Sequence, residues 1–98
     1  MGKQDKKNGN KEVDWSKMPE INFSTFIFSL NSSALVHLGV VENPAGGHVK
    51  NLLVAKQTID IIEMLEQKTK GNLTKDEHQL IKNLLHELRL IYIRESNS

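Results

Sequence analysis

Residues 21–41 form a run without a single charged side chain, although 26% of the whole sequence is charged. The run could make about six helical turns, and it mixes apolar residues with serines, a threonine, asparagines and a histidine. A segment of this kind is too apolar to be solvated all round and too polar for the interior of a bilayer. We therefore expect a helix that is surrounded by protein on nearly every side.

The small size of the chain bounds what it can be. Its 98 residues make at most one domain. A domain of this size buries only about 60–65% of its unfolded surface, and oligomerisation is a common way to add stability. The sequence has no cysteine, which excludes disulfides and thiolate sites, and its net charge of +1 gives no signal for nucleic acid.

Residues 1–20 are rich in Lys, Asn, Asp and Gly, and they carry five lysines and four acids. Such a composition cannot recover its ordering entropy, so we expect a disordered tail. The tail lacks the apolar core of a signal peptide, which indicates a cytoplasmic protein. Trp15 and Met18 are its apolar exceptions. They either fold back onto the domain or anchor to a protein partner.

The first helix is predicted over residues 23–38. Pro19 disfavours helix before it, Asn22 is a suitable N-cap, and Gly39 is placed for a left-handed C-cap. The helical period assigns a core face to Phe23, Phe26, Ile27, Leu30, Ala34 and Leu38. Phe28 and Leu35 form a second apolar ridge, and Val36 lies on the remaining side.

The second and third helices are predicted over residues 52–70 and 75–94. Asn51 can cap the second helix, whose apolar stripe is widened by Val54 and Ile61. In "KTKGNLTKDE", Gly71 ends the second helix and Thr74 opens a capping box with Glu77. Because the second helix ends and the third begins within a few residues, the sequence predicts that they form an antiparallel helical hairpin. The fold class is therefore all-α, with three helices.

Three phrases in the chain resemble a known family of short bacterial proteins. They are "FSTFIFSLNSSALVHLG", "AKQTIDIIEMLEQKTKGNLT" and "LLHELRLIYI", within residues 19–94. The family is the domain of unknown function 1844, and Gln67 stands where its members frequently have an acid. The resemblance implies a helical protein with no assigned chemistry, and it supplies no catalytic or binding residues.

The titratable residues show no arrangement typical of catalysis or metal binding. His78 and His86 do not form the His-Glu-x-x-His pattern, and no serine lies in a nucleophile elbow. "AGGHVK" lacks the Gly-Lys-Ser/Thr ending of a phosphate loop. We therefore expect no enzyme, no cofactor and no metal. His37 is expected to be buried, either as a neutral ring bonded to a carbonyl or serine, or as a pH-sensitive or ligand-contacting group.

Three explanations compete for the charge-free helix. A membrane span is disfavoured by Asn31, His37 and the hydroxyls near its centre. An intrachain core is the second explanation, although two helices shield only part of a third. The third explanation, which we prefer, adds self-association. In that homodimer Phe28, Leu35 and Val36 make the contact, while Ser29, Ser32 and Ser33 permit close approach.

The function predicted from this pattern is a protein-interaction or scaffold module that forms a homodimer through its first helix. One alternative is a small apolar ligand bound in the bundle beneath His37. Another is weak nucleic-acid binding by the tail lysines, which Asp5, Glu12 and Asp14 nearly neutralise. The lysines concerned are Lys3, Lys6, Lys7, Lys11 and Lys17.

Overall fold

The structure, a computed structural model, describes residues 20–97. That part of the chain contains the helices α1 (Phe23–His37), α2 (Leu52–Lys68) and α3 (Lys75–Ser96), and no strand. The predicted all-α class with three helices is confirmed, and the helix ends lie within two residues of the predicted ones. The proposed tail over residues 1–20 lies almost wholly outside the described residues.

Side-chain caps fix the starts of α1 and α3. The Asn22 side chain accepts a hydrogen bond from the Thr25 backbone N–H at 2.9 Å, and the Thr25 hydroxyl accepts one from the Asn22 N–H at 3.1 Å. Thr74 and Glu77 make the equivalent pair at 3.1 and 2.9 Å, as the sequence predicted. In the capping box of α1 a threonine takes the place where a glutamate is usual, and α1 therefore begins without a charge.

The end of α1 depends on a backbone conformation that suits glycine. Gly39 has φ +82°, and the next residue, Val40, donates its N–H to the Leu35 carbonyl at 3.2 Å. The Asn51 N–H then donates to the His37 carbonyl at 2.8 Å. This bond joins the end of α1 to the start of α2, so the chain reverses and the two helices pack side by side.

The core lies along the line where the three helices meet. The helices α1, α2 and α3 all contribute to it, and the C-cap Leu38 completes the share of α1. Its buried members are Ile27, Ala34, Leu38, Ala55, Ile59, Ile62, Ile81, Leu85 and Leu88. Thr58 is buried among them, and its hydroxyl donates to the Val54 carbonyl at 3.1 Å, so no donor is left unmet there.

One ion pair connects α3 to α2, and a second connects α3 to the residues just before α2. Glu63 lies 3.3 Å from Arg89, and Lys50, which precedes α2, lies 3.0 Å from Glu95 in the last turns of α3. The antiparallel direction of the hairpin stays a prediction, and these pairings favour it because the start of α2 is tied to the end of α3.

Replacing Gly39 by alanine should destabilise the fold more than the same change at Gly71. Both glycines have left-handed φ values, +82° and +88°, a conformation that costs an alanine about 1–2 kcal/mol. At Gly39 the new Cβ would also lie 3.3 Å from the Lys50 side chain, whereas nothing lies within 4 Å at Gly71. Urea unfolding of both variants measures the difference. An equal or smaller loss for Gly39→Ala would contradict this account.

Candidate interaction surface

The side of α1 that faces away from the core is uncharged along its whole length. Ile27 and Ala34 are fully buried, and the helical period points Thr25, Ser29, Ser32 and Val36 in roughly the opposite direction. We call these four residues, with Phe26 and Phe28 at the two edges, the outer face of α1. It presents two aromatic rings, three small hydroxyl side chains and a valine.

The two phenylalanines at the edges are half exposed, Phe26 at 48% and Phe28 at 50%. The exposure of Phe26 corrects its predicted place in the core. Phe26 points about 100° away from the adjacent, fully buried Ile27, and the neighbouring helices do not reach far enough around α1 to cover it. An aromatic ring that is half in water is a candidate for contact with another surface.

The residues predicted for a contact between copies divide into two groups. Phe28, Ser29 and Ser32 are exposed, and Val36 is half buried on the same outer face. Leu35 and Ser33 are half buried, and Leu35 packs against the chain's own core. The contact itself stays a prediction for all six residues.

The exposed Ser29 already has a hydrogen-bond partner. Its hydroxyl donates to the Phe26 carbonyl at 2.7 Å, within the same helix. Burying a hydroxyl costs free energy chiefly when its hydrogen bonds to water are not replaced. This part of the outer face can therefore be covered by another surface at small cost.

His37 is half buried at the last residue of α1. Its Nδ1 lies 2.9 Å from the Ser33 carbonyl oxygen. Since that oxygen can only accept, Nδ1 carries the hydrogen, which matches the predicted ring bonded to a carbonyl. A ligand-contacting role for His37 stays a prediction.

A groove of about 290 Å³ lies between α2 and α3. Ile59, Tyr92 and Ile93 contribute its apolar surface, and charged side chains from both helices surround it. No residue of α1 lines it. It is therefore a different place from the predicted ligand site beneath His37.

The charged side chains near this groove are paired. Lys56 and Asp60 lie 2.9 Å apart, and the hydrogen bond to Asp60 raises the pKa of Lys56. Arg89 and Glu63 make the second pair. The flank of α2 that faces α3 therefore carries charged side chains, in contrast to the outer face of α1.

Residues 20–97 show neither a metal-binding group of side chains nor a membrane-spanning helix. Within residues 20–97, no three His, Asp or Glu side chains are grouped so that they could hold a metal ion. None of the helices in that range has the length and apolar character that crossing a membrane requires. The predicted anchors Trp15 and Met18 and the tail lysines lie outside the described residues.

The chain belongs to the family described as a domain of unknown function (DUF1844). The family model matches residues 20–94, which include α1, α2 and all but the last two residues of α3. The resemblance seen in the sequence is thereby confirmed. Searches of curated proteins and of solved structures gave no match.

A second apolar surface, on α2, was not predicted from the sequence. Ile61 was expected to widen the core stripe, but 43% of it is exposed. Leu53 and Met64 are also exposed, at 73% and 45%. The spacing from the buried Ile59 and Ile62 could have shown that Leu53 and Met64 point away from the core. The exposure of Ile61 depends on how far the neighbouring helix reaches.

Glu95 should contribute stability that is lost in acid. A hydrogen bond from Lys50, and a weaker one from Arg94, lower the pKa of Glu95 below its usual 4.5. A carboxylate with a lowered folded-state pKa stabilises fully above its unfolded-state pKa, and the effect disappears as the pH falls through the folded-state value. Glu95→Gln should therefore lower the melting temperature at pH 7 and have little effect near pH 2.

Thermal melts across this pH range test the prediction, with Glu87→Gln as a control at an exposed acid of the same helix. The control should change the melting temperature far less at pH 7. A loss for Glu95→Gln that is the same at both pH values would show that the ion pair is not its cause.

Proposed function

We propose that this chain is a non-enzymatic, cytoplasmic protein-interaction module that self-associates through the outer face of α1. The observation that carries the proposal is the half-exposed ring of Phe28 on a helix without charge. In this proposal Phe28 and Val36 make the apolar contact, and Leu35 adds to it from the edge of the core. Ser29, Ser32 and Ser33 let the two helices approach closely.

The partner in this proposal is a second copy of the chain, because the outer face suits contact with itself. In a two-fold symmetric dimer the same surface contributes from both subunits, so a charge near the axis would meet an identical charge. The outer face has no charge, and therefore no like-charge repulsion arises. A partner surface with a positive or a negative charge would therefore gain no electrostatic attraction from the outer face of α1.

Contact between copies would also supply burial that a small domain lacks. Complete burial of a phenylalanine side chain is worth about 1.5–3 kcal/mol. Covering the half of Phe28 that is exposed thus gives about 1 kcal/mol per subunit. Phe26 adds a similar amount wherever the contact reaches its edge of the helix.

Sedimentation of the full chain tests the proposal. The wild type should be a dimer or larger at micromolar concentration, and Phe28→Glu should be a monomer, because two carboxylates would be forced into an apolar contact. Leu90→Glu is the matched control, since Leu90 is 52% exposed but lies on α3. It should leave the association unchanged.

Circular dichroism of both variants separates dissociation from unfolding. A Phe28→Glu chain that stays helical and becomes monomeric supports the proposal. A wild type that remains monomeric at every concentration contradicts it, and so does a Leu90→Glu variant that dissociates equally.

A further inference from the structure

The two flanks of α2 differ in character. The groove places Lys56, Ile59 and Glu63 on the flank towards α3. Since α1 also packs on α2, it lies against the other flank, where Thr58 is buried and Val54 and Leu65 are half buried. The flank towards α1 carries no charge at these positions.

A strip of uncharged, exposed residues lies beyond this flank, on the solvent side of α2. Leu53, Gln57, Ile61 and Met64 follow one another at spacings of about one helical turn, so they share one side of the helix. We call these four residues the α2 strip. Lys68, the last residue of α2, continues the strip at its far end.

Ile61, in the middle of the α2 strip, lies at about the same level along the bundle as the phenylalanines of α1. The Asn51–His37 bond fixes where the two helices meet. Counted from that bond, Ile61 lies roughly three turns along α2, and Phe26 and Phe28 lie roughly two and a half to three turns back along α1. Each edge of the outer face of α1 has a phenylalanine, so the edge nearer to α2 carries a half-exposed ring at the level of Ile61.

The outer face of α1 alone is small for a stable contact. Its 15 residues extend about 22 Å, and a strip about 10 Å wide covers roughly 220 Å². A specific interface buries about 800 Å² of accessible surface per partner. This exceeds the area of the α1 strip even when the additional surface of its protruding side chains is counted. A second helix is needed beside α1, and the α2 strip is uncharged and adjacent.

We propose that the contact between two copies extends from the outer face of α1 across its seam with α2 onto Leu53, Gln57, Ile61 and Met64. The inference rests on the proposed self-association, and it names a second helix that takes part. The occupant of the α2 strip is thus the second copy of the chain. The apolar residues that α3 exposes, Leu90 and Ile93, lie outside this contact.

Ile61→Glu tests this extension, with Ile93→Glu as its control. Both isoleucines are about half exposed, at 43% and 56%, and they lie on different helices. Ile61→Glu should raise the dimer dissociation constant at least about tenfold, which corresponds to 1.4 kcal/mol. Ile93→Glu should leave it within about twofold, because surface changes away from a contact have small effects.

The result distinguishes failure of this inference from failure of the proposed function. If Phe28→Glu dissociates the dimer and Ile61→Glu does not, the contact exists but does not include α2. If the wild type is monomeric at every concentration, both proposals are wrong.

A thiol-labelling measurement covers the case in which Ile61→Glu fails to fold. The natural chain has no cysteine, so Gln57→Cys introduces a single thiol at an exposed position of the α2 strip. Its alkylation should slow several-fold when the protein is concentrated from monomer to dimer. Asn83→Cys, at an exposed position of α3, should react at the same rate at both concentrations. A Gln57→Cys rate that does not depend on protein concentration overturns the inference.

Discussion

Burial of the inner side of α1 against α2 and α3 is the interaction on which the rest of the structure depends. Ile27, Ala34 and Leu38 are fully buried, and without them the part of the core that α2 and α3 turn towards α1 would be open to water. Each large apolar side chain contributes about 1.5–3 kcal/mol when it is buried. Isolated helices of this length are marginal in water, so packing rather than local propensity holds α1 in place.

The composition of α1 follows from this burial and leaves its outer face uncharged. Its cap uses Asn22 and Thr25 instead of an acid, and Ser29 and His37 bond to carbonyls of their own helix. These four side chains therefore need little from water. The Thr25 and Ser29 hydroxyls of the outer face can therefore be covered by another surface without losing their hydrogen bonds, and no charge is buried with them.

The sequence predicts local features better than it predicts the width of the core. The ends of the helices could be read from Asn22, Gly39 and the Thr74–Glu77 box because caps act within a few residues. The sequence predicts Phe26 and Ile61 to be in the core, whereas both are about half exposed in the structure. The helical period fixes the direction of each side chain, but the neighbouring helix decides how far around it burial extends. The extent of burial around a helix depends on how the helices pack together, so the sequence of one helix alone does not determine it.

The separation of charged and uncharged surfaces on the bundle indicates which side a second copy would cover. On the flank of α2 towards α3, burial would take Lys56, Asp60, Glu63 and Arg89 out of water. Desolvation costs several kcal/mol per ion unless every partner is retained in good geometry. The outer face of α1 and the α2 strip carry apolar, hydroxyl and amide groups, whose burial costs far less. Self-association is therefore expected where the outer face of α1 and the α2 strip carry no charge, and the ion pairs keep the flank of α2 towards α3 in water.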